Sequence, residues 1–121
     1  MSRFSGFPVV EIIPEITGGK IYRLKETLGY RTAILPDYPN IIIYAGFESD
    51  GASVPRAFWR CFPPSGQYLG AAIVHDWLCE TRICSSKDSA KIFLEAMEDL
   101  RVPKAVRMPM YWAVRWFGPK F

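Results

Sequence analysis

The chain has a single histidine, and an aspartate follows it: His75-Asp76, inside "GAAIVHDWLCE" at residues 70–80. On a helix successive side chains stand about 100° apart and do not face each other. The two groups are therefore not a hydrogen-bonded dyad, and if both are functional they serve different partners. Tyr68, Ala71, Ala72, Leu78 and Cys79 fall within about 60° of His75 around such a helix. An imidazole on that apolar face points into the core or a cleft wall, where burial lowers its pKa and favours a neutral base. A histidine packed for its bulk would occupy the same face. The adjacent Asp76, and the small residues Gly70, Ala71 and Ala72 that allow close backbone approach, point towards function. Asp76 falls on a flank with Leu69 and Glu80, nearer the helix edge.

A second candidate is "FESDGASVPRAFW", residues 47–59. Asp50-Gly51 is a turn signal, and Ser53 and Pro55 keep the chain irregular. A carboxylate with backbone carbonyls gives hard oxygen ligands suited to Ca²⁺; the plainer reading is an ordinary Asp-Gly turn with Arg56 on the surface. Three rival constellations follow from residue type. His75 and Cys79, at i and i+4, join Cys84 and Cys61 in a Cys₃His set suited to zinc, although no pair has CxxC spacing. Ser53 with His75 as base has the types for acyl transfer but lacks a GxSxG elbow. "MYWAVRWFG", with Trp112, Arg115, Trp116 and Phe117, suits a membrane surface, a partner, or a core helix with one arginine snorkelling outward.

The elements that must position these residues divide at mid-chain. At 121 residues the sequence supports one domain, 1–121, with one core. Half of it is hydrophobic and 22% charged, which argues against disorder and for a packed globule. "FPVVEII", "KIYRLKE", "GYRTAIL" and "NIIIYAGF" read as strands separated by turn residues, forming a small antiparallel sheet with one covered face. Helices are predicted over about 67–80 and 87–100, the second capped by Ser85 or Ser86, and these two should pack antiparallel across "TRICSSK". A third amphipathic segment, "VPKAVRMPMYWAVRWFG", should break or restart at Pro109 and stop at Gly118-Pro119. Strands followed by helices make an α+β fold with a three-helix C-terminal half.

The formal charge of +3 does not mark a specific nucleic-acid binder, although Arg101, Lys104, Arg107, Arg115 and Lys120 crowd the end of the chain. No apolar run reaches 18 residues, so no transmembrane segment is expected, and no signal-peptide core opens the sequence. Three cysteines without a CxxC fit a reduced, cytoplasmic site of synthesis.

"GFESDGASVPRAFWR", "PPSGQYLGAAIVHDWLCETR", "KIFLEAM" and "MYWAVRWFG" together resemble a family of small bacteriophage and prophage proteins of unknown function. That family's pattern is roughly GF.TDGAS(V/I)P..FW, A..HD.LY, R..AD.IF..AM and Y.AVR.FG. The match runs in order over about residues 40–118; neither DGAS nor HD is specific alone, but the combination is. More distantly, the order of motifs resembles the bacterial and fungal phospholipase A2 group. That likeness implies His75 as the water-activating base, with Asp76, Asp50 and the Gly51 carbonyl as Ca²⁺ ligands. It would also explain why His75 and Asp76 diverge: one serves water and the other a metal. The chain departs from the phospholipase pattern at Ala90, where an Asp three residues before the helix Phe would orient the imidazole. Asp88 points nearly opposite, Ser86 and Ser89 offer only hydroxyls on the correct face, and Cys79 replaces the Tyr of the phage pattern.

Two functions are therefore expected. The first is a virion (tail or baseplate) or lysis-module component on a phospholipase-A2-like His-Asp scaffold, acting mainly through protein–protein contacts. Its partners would be other phage structural proteins or further copies of itself. It would be made in the host cytoplasm and carried in the virion. The second is a calcium-dependent phospholipase or esterase acting on phospholipid of the host envelope. Ala90 favours the first.

Overall fold

The structure, a computed structural model, describes residues 3–6, 8–17, 20–49, 69–118 and 120–121. Among the described residues, five strands precede three helices: β1 Val10–Thr17, β2 Lys20–Leu24, β3 Leu28–Arg31, β4 Asn40–Ile43, β5 Glu48–Ser49, then α1 Leu69–Thr81, α2 Ser86–Asp99 and α3 Lys104–Phe117. This is the α+β arrangement expected, with antiparallel pairing throughout: β1-β2-β5 form one sheet and β3-β4 a hairpin.

Alternation sets which face of the hairpin is covered. Leu28 and Tyr30 of β3, and Ile41 and Ile43 of β4, point inward and are buried, while Arg31, Asn40 and Ile42 face out. β3 stops at Arg31 rather than running to Leu35. There the Thr32 amide donates to the Pro39 carbonyl at 2.8 Å, and the Ile34 amide donates to Thr32 Oγ1 at 3.0 Å, closing a turn. β1 continues past Pro14, which an edge strand tolerates, and its register with β2 shifts between Ile12 and Thr17. β5 has two residues, too few to leave a periodic signal; Arg23 holds it through Glu48 at 3.0 and 3.2 Å.

The Ser85 side chain caps α2 by accepting from the Asp88 amide at 3.2 Å, and Asp88 places a negative charge in the first turn. α1 and α2 form an antiparallel hairpin across residues 82–85. A Cβ on Gly70, at the start of α1, would lie 3.7 Å from Leu100 Cδ1 beyond the end of α2. Midway, the His75 ring centroid is 5.2 Å from that of Phe93. The contact order reverses along the two helices, as expected.

α3 differs from expectation. It is one helix with Pro109 inside it. The proline removes the bond to the Ala105 carbonyl, but Ala105 and Pro109 are both exposed, so water can take that carbonyl. Met110, Ala113 and Val114 are buried and hold the second half in line.

One buried cluster spans Leu28, Tyr30 and Ile41 of the hairpin, Val74 of α1, Phe93 of α2 and Met110 of α3. Glu95 of α2 fastens the hairpin to the helices. Its carboxylate accepts from Tyr30 Oη and Thr32 Oγ1, both at 2.8 Å, and from the Ala33 amide at 3.0 Å.

Candidate functional site

Seven consecutive α1 residues, Gly70 to Asp76, are buried, followed by Leu78. A helix apolar on most sides is enclosed rather than laid on a surface. Gly70 contributes by absence of a side chain: a Cβ there would stand 3.2 Å from Phe4 Cε1, so the aromatic ring closes directly over the helix backbone.

His75 is 2% exposed. Its ring nitrogens lie 3.8 and 3.9 Å from Cys79 Sγ, one turn on, and its ring is tilted 41° to Phe93. Among the described residues no carboxylate hydrogen-bonds either nitrogen. Burial alone pushes the imidazole pKa down to about 4, so it is neutral at physiological pH. The environment predicted for a neutral base is present.

The orienting group is another matter. Ala90 is fully buried on α2, one turn from Phe93, and presents a methyl where the phospholipase pattern has a carboxylate. The nearby hydroxyls do not replace it. Ser89 Oγ is 3.3 Å from Cys84 Sγ, and the polar neighbour of the His75 ring is Cys79 Sγ. Burial, its largest influence, pushes the Cys84 thiol up and away from thiolate character.

Asp76 is 8% exposed, not at a helix edge as the wheel suggested. The flank about 100° from His75 is covered because α1 is enclosed through its first two turns. Asp50 and Gly51 lie outside the described residues, as do Ser53 and Cys61. β5 packs against α1, so the strand leading into Asp50-Gly51 ends beside the His75 helix. Of the calcium set, Asp76 is the member placed, and among the described residues no three His, Cys, Asp or Glu side chains gather to hold a metal. Of the zinc set, His75 and Cys79 are adjacent, while Cys84 turns to Ser89.

Sequence reasoning missed a polar node. Glu95 and Tyr30 meet across 65 residues, and burial followed by the Glu95 hydrogen bond pushes the Tyr30 phenol well above its ordinary range. Neither residue carries a local signal, because each needs the other. Beside this node a cleft of about 900 Å³ opens, lined by Arg3, Phe4, Tyr30, Asn40, Ile42 and Asp99 among others. His75 and Asp76 are not part of its lining.

Comparison with known proteins adds a family of unknown function. A family model described as "Protein of unknown function (DUF1353)" matches residues 22–114. Uncharacterized protein y4jT of Sinorhizobium fredii is 40% identical over 76 residues, covering 61% of this chain and 23% of that protein. Uncharacterized protein y4iH of the same organism is 29% identical over 76 residues, 61% of this chain and 32% of that protein. The chain thus spans about a quarter to a third of the curated relatives it matches. No solved structure matches it.

Proposed function

The chain belongs to the DUF1353 family, and from the surroundings of His75 we propose that it works by binding rather than by turnover, as a component of a phage particle or lysis module. The phage context comes from the motif resemblance. The preference for binding rests on one observation: the buried imidazole has Cys79 and Phe93 around it, and a methyl at Ala90. A base that must take a proton from water and hold it needs a partner for the resulting cation. Here the cation would form in an apolar pocket, which the lowered pKa opposes.

The hairpin supplies a surface for protein contacts. Tyr38, Ile42 and Tyr44 are exposed on β4 and its flanks, beside the cleft at Arg3 and Tyr30. Large exposed apolar side chains grouped in this way are the anchors from which protein interfaces are built. The protein would be made in the host cytoplasm and meet other particle components there.

A second reading is favoured by the burial of Asp76 next to His75, on the helix that β5 touches. In a calcium-dependent phospholipase, Asp76 with Asp50 and the Gly51 carbonyl would hold the ion, which would polarise a lipid ester, and His75 would activate water. Two measurements separate the readings. Mass spectrometry of purified particles should detect the chain, and the isolated protein should release no fatty acid from mixed phospholipid vesicles with millimolar Ca²⁺. Hydrolysis that disappears in His75→Ala would transfer the assignment to the enzyme.

A further inference from the structure

We propose that the outward face of α3 seats the protein on an anionic lipid surface. The inward face of this helix is committed to the core through Met110, Ala113 and Val114. Its outward line is also apolar. Ala105, Met108, Pro109, Trp112 and Trp116 fall within about 60° of Trp112 around the helix axis, with Arg115 at the border of that arc. Ala105, Pro109, Trp112 and Trp116 are exposed, Trp116 to 67%. The two indoles stand 6.3 Å apart, a paired aromatic ridge rather than scattered side chains. A surface helix ordinarily turns charge to the solvent side and apolar residues to the core. α3 instead places Lys104 and Arg115 along one side of the apolar line.

Charge identifies the occupant. Residues 100–121 hold five cations, Arg101, Lys104, Arg107, Arg115 and Lys120, and no acidic residue. The rest of the chain carries ten cations and all twelve acids, a net charge of −2. The positive charge of the protein is therefore concentrated in the segment that carries the aromatic ridge, although Arg107 turns away from the ridge to the Val102 carbonyl and Glu98. Lys104 and Arg115 lie on one side of it, and Lys120 follows its C-terminal end, where its ammonium donates to the Arg115 carbonyl. A second copy docking face to face through α3 would bring two such cationic rims together. An anionic bilayer answers both features: its interface accepts indoles, and its headgroups attract lysine and arginine. Both indoles are exposed, and a deformable bilayer needs no preformed groove to receive them. The helix would lie in the plane of the surface without crossing it, and no described helix is long and apolar enough to span a membrane.

This inference stands apart from the chemistry of His75 and holds whether or not that residue turns over lipid. The test is co-sedimentation with vesicles of phosphatidylcholine alone and of phosphatidylcholine with one-third phosphatidylglycerol. Binding should be at least tenfold tighter to the anionic vesicles and should weaken steeply at 0.5 M salt. Tryptophan emission should move to the blue as the indoles leave water. Trp112→Ser/Trp116→Ser should lose at least tenfold, with an unchanged circular dichroism spectrum, and Val9→Ser, at an exposed apolar residue before β1, should bind as the wild type does. Should the double variant misfold, Trp116→Ser and Lys104→Gln carry the test separately. Neutralising one cation should cost about fivefold. Equal binding to both vesicle types, or binding unaffected by loss of the indoles, overturns the proposal. Concentration-dependent self-association abolished by the Trp variants, without vesicle binding, would assign the face to a second copy and also overturn it.

Discussion

His75 titrates in the wrong place for a surface histidine, and that has a consequence for stability. Its folded pKa is lowered to about 4 from an ordinary 6.5, so between these values the unfolded chain binds the extra proton. Stability contributed by the neutral, buried ring is present above pH 6.5 and is lost as pH falls towards 4, up to about 3 kcal/mol in all. Urea midpoints measured from pH 7 to pH 4.5 should fall steadily, and in His75→Leu that slope should flatten. A slope unchanged by the substitution would show that other groups drive acid unfolding. Ala90 gives a second prediction at this scale. Ala90→Asp places a carboxylate where the phospholipase pattern has one, and it is tolerated only if it pairs with His75. The expected result is a His75 pKa raised from about 4 in an NMR titration, together with lipid hydrolysis absent from the wild type. An orienting Asp is worth about 10⁴ in kcat in a serine protease triad, which sets the scale of gain to look for. The sequence already pointed to an apolar setting for His75, because the helical wheel is local information. The burial of Asp76 was not legible, since it depends on elements that close over α1 from elsewhere in the chain.

At the scale of elements, the hairpin and α2 are joined through Glu95, and the strength of that joint can be measured. Tyr30→Phe removes one donor to a carboxylate while leaving those of Thr32 and Ala33. Hydrogen bonds to charged groups contribute about 1.5–3 kcal/mol, so a loss of about 1.5 kcal/mol is expected by urea denaturation. Glu95→Ala strands the buried Tyr30 and Thr32 hydroxyls, leaves the exposed Ala33 amide to water, and should cost about 3 kcal/mol. If both substitutions are near neutral, the joint is decorative. α3 offers the opposite sign. Pro109 lies in a helix interior with its ring on the exposed face, and proline there is about 3 kcal/mol worse than alanine. Pro109→Ala should therefore stabilise the domain, by about 2 kcal/mol once water on the freed carbonyl is allowed for. What was legible among the elements follows from range. The Ser85 cap and the α1–α2 hairpin are specified within a few residues and a four-residue connection. β5, and the continuity of α3 through its proline, are decided by pairing and packing with distant segments.

For the whole molecule the readings meet at the junction of the two halves, where β5 touches α1. A Ca²⁺ held by Asp76 and the Asp50-Gly51 segment would clamp the strand layer to the helical layer, and a ligand bound to the folded state alone stabilises the entire domain. At a free concentration one hundred times Kd the gain is about 2.7 kcal/mol. For a chain of 121 residues each kcal/mol moves Tm by about 4 °C, so an occupied clamp would raise it by about 10 °C. The binding-component reading makes no use of the ion and predicts a change within about 1 °C between 1 mM EDTA and 1 mM excess Ca²⁺. A rise of about 10 °C, erased by Asp76→Asn and not produced by Mg²⁺, would establish the clamp, since Mg²⁺ demands a smaller and more regular oxygen cage. The variant matters as much as the ion. Asp76 is nearly enclosed, so Asp76→Asn keeps its volume and some of its hydrogen bonding while removing the charge that a metal requires. A wild type insensitive to Ca²⁺, with an Asp76→Asn variant of lower stability, would show that this carboxylate serves the fold rather than a metal.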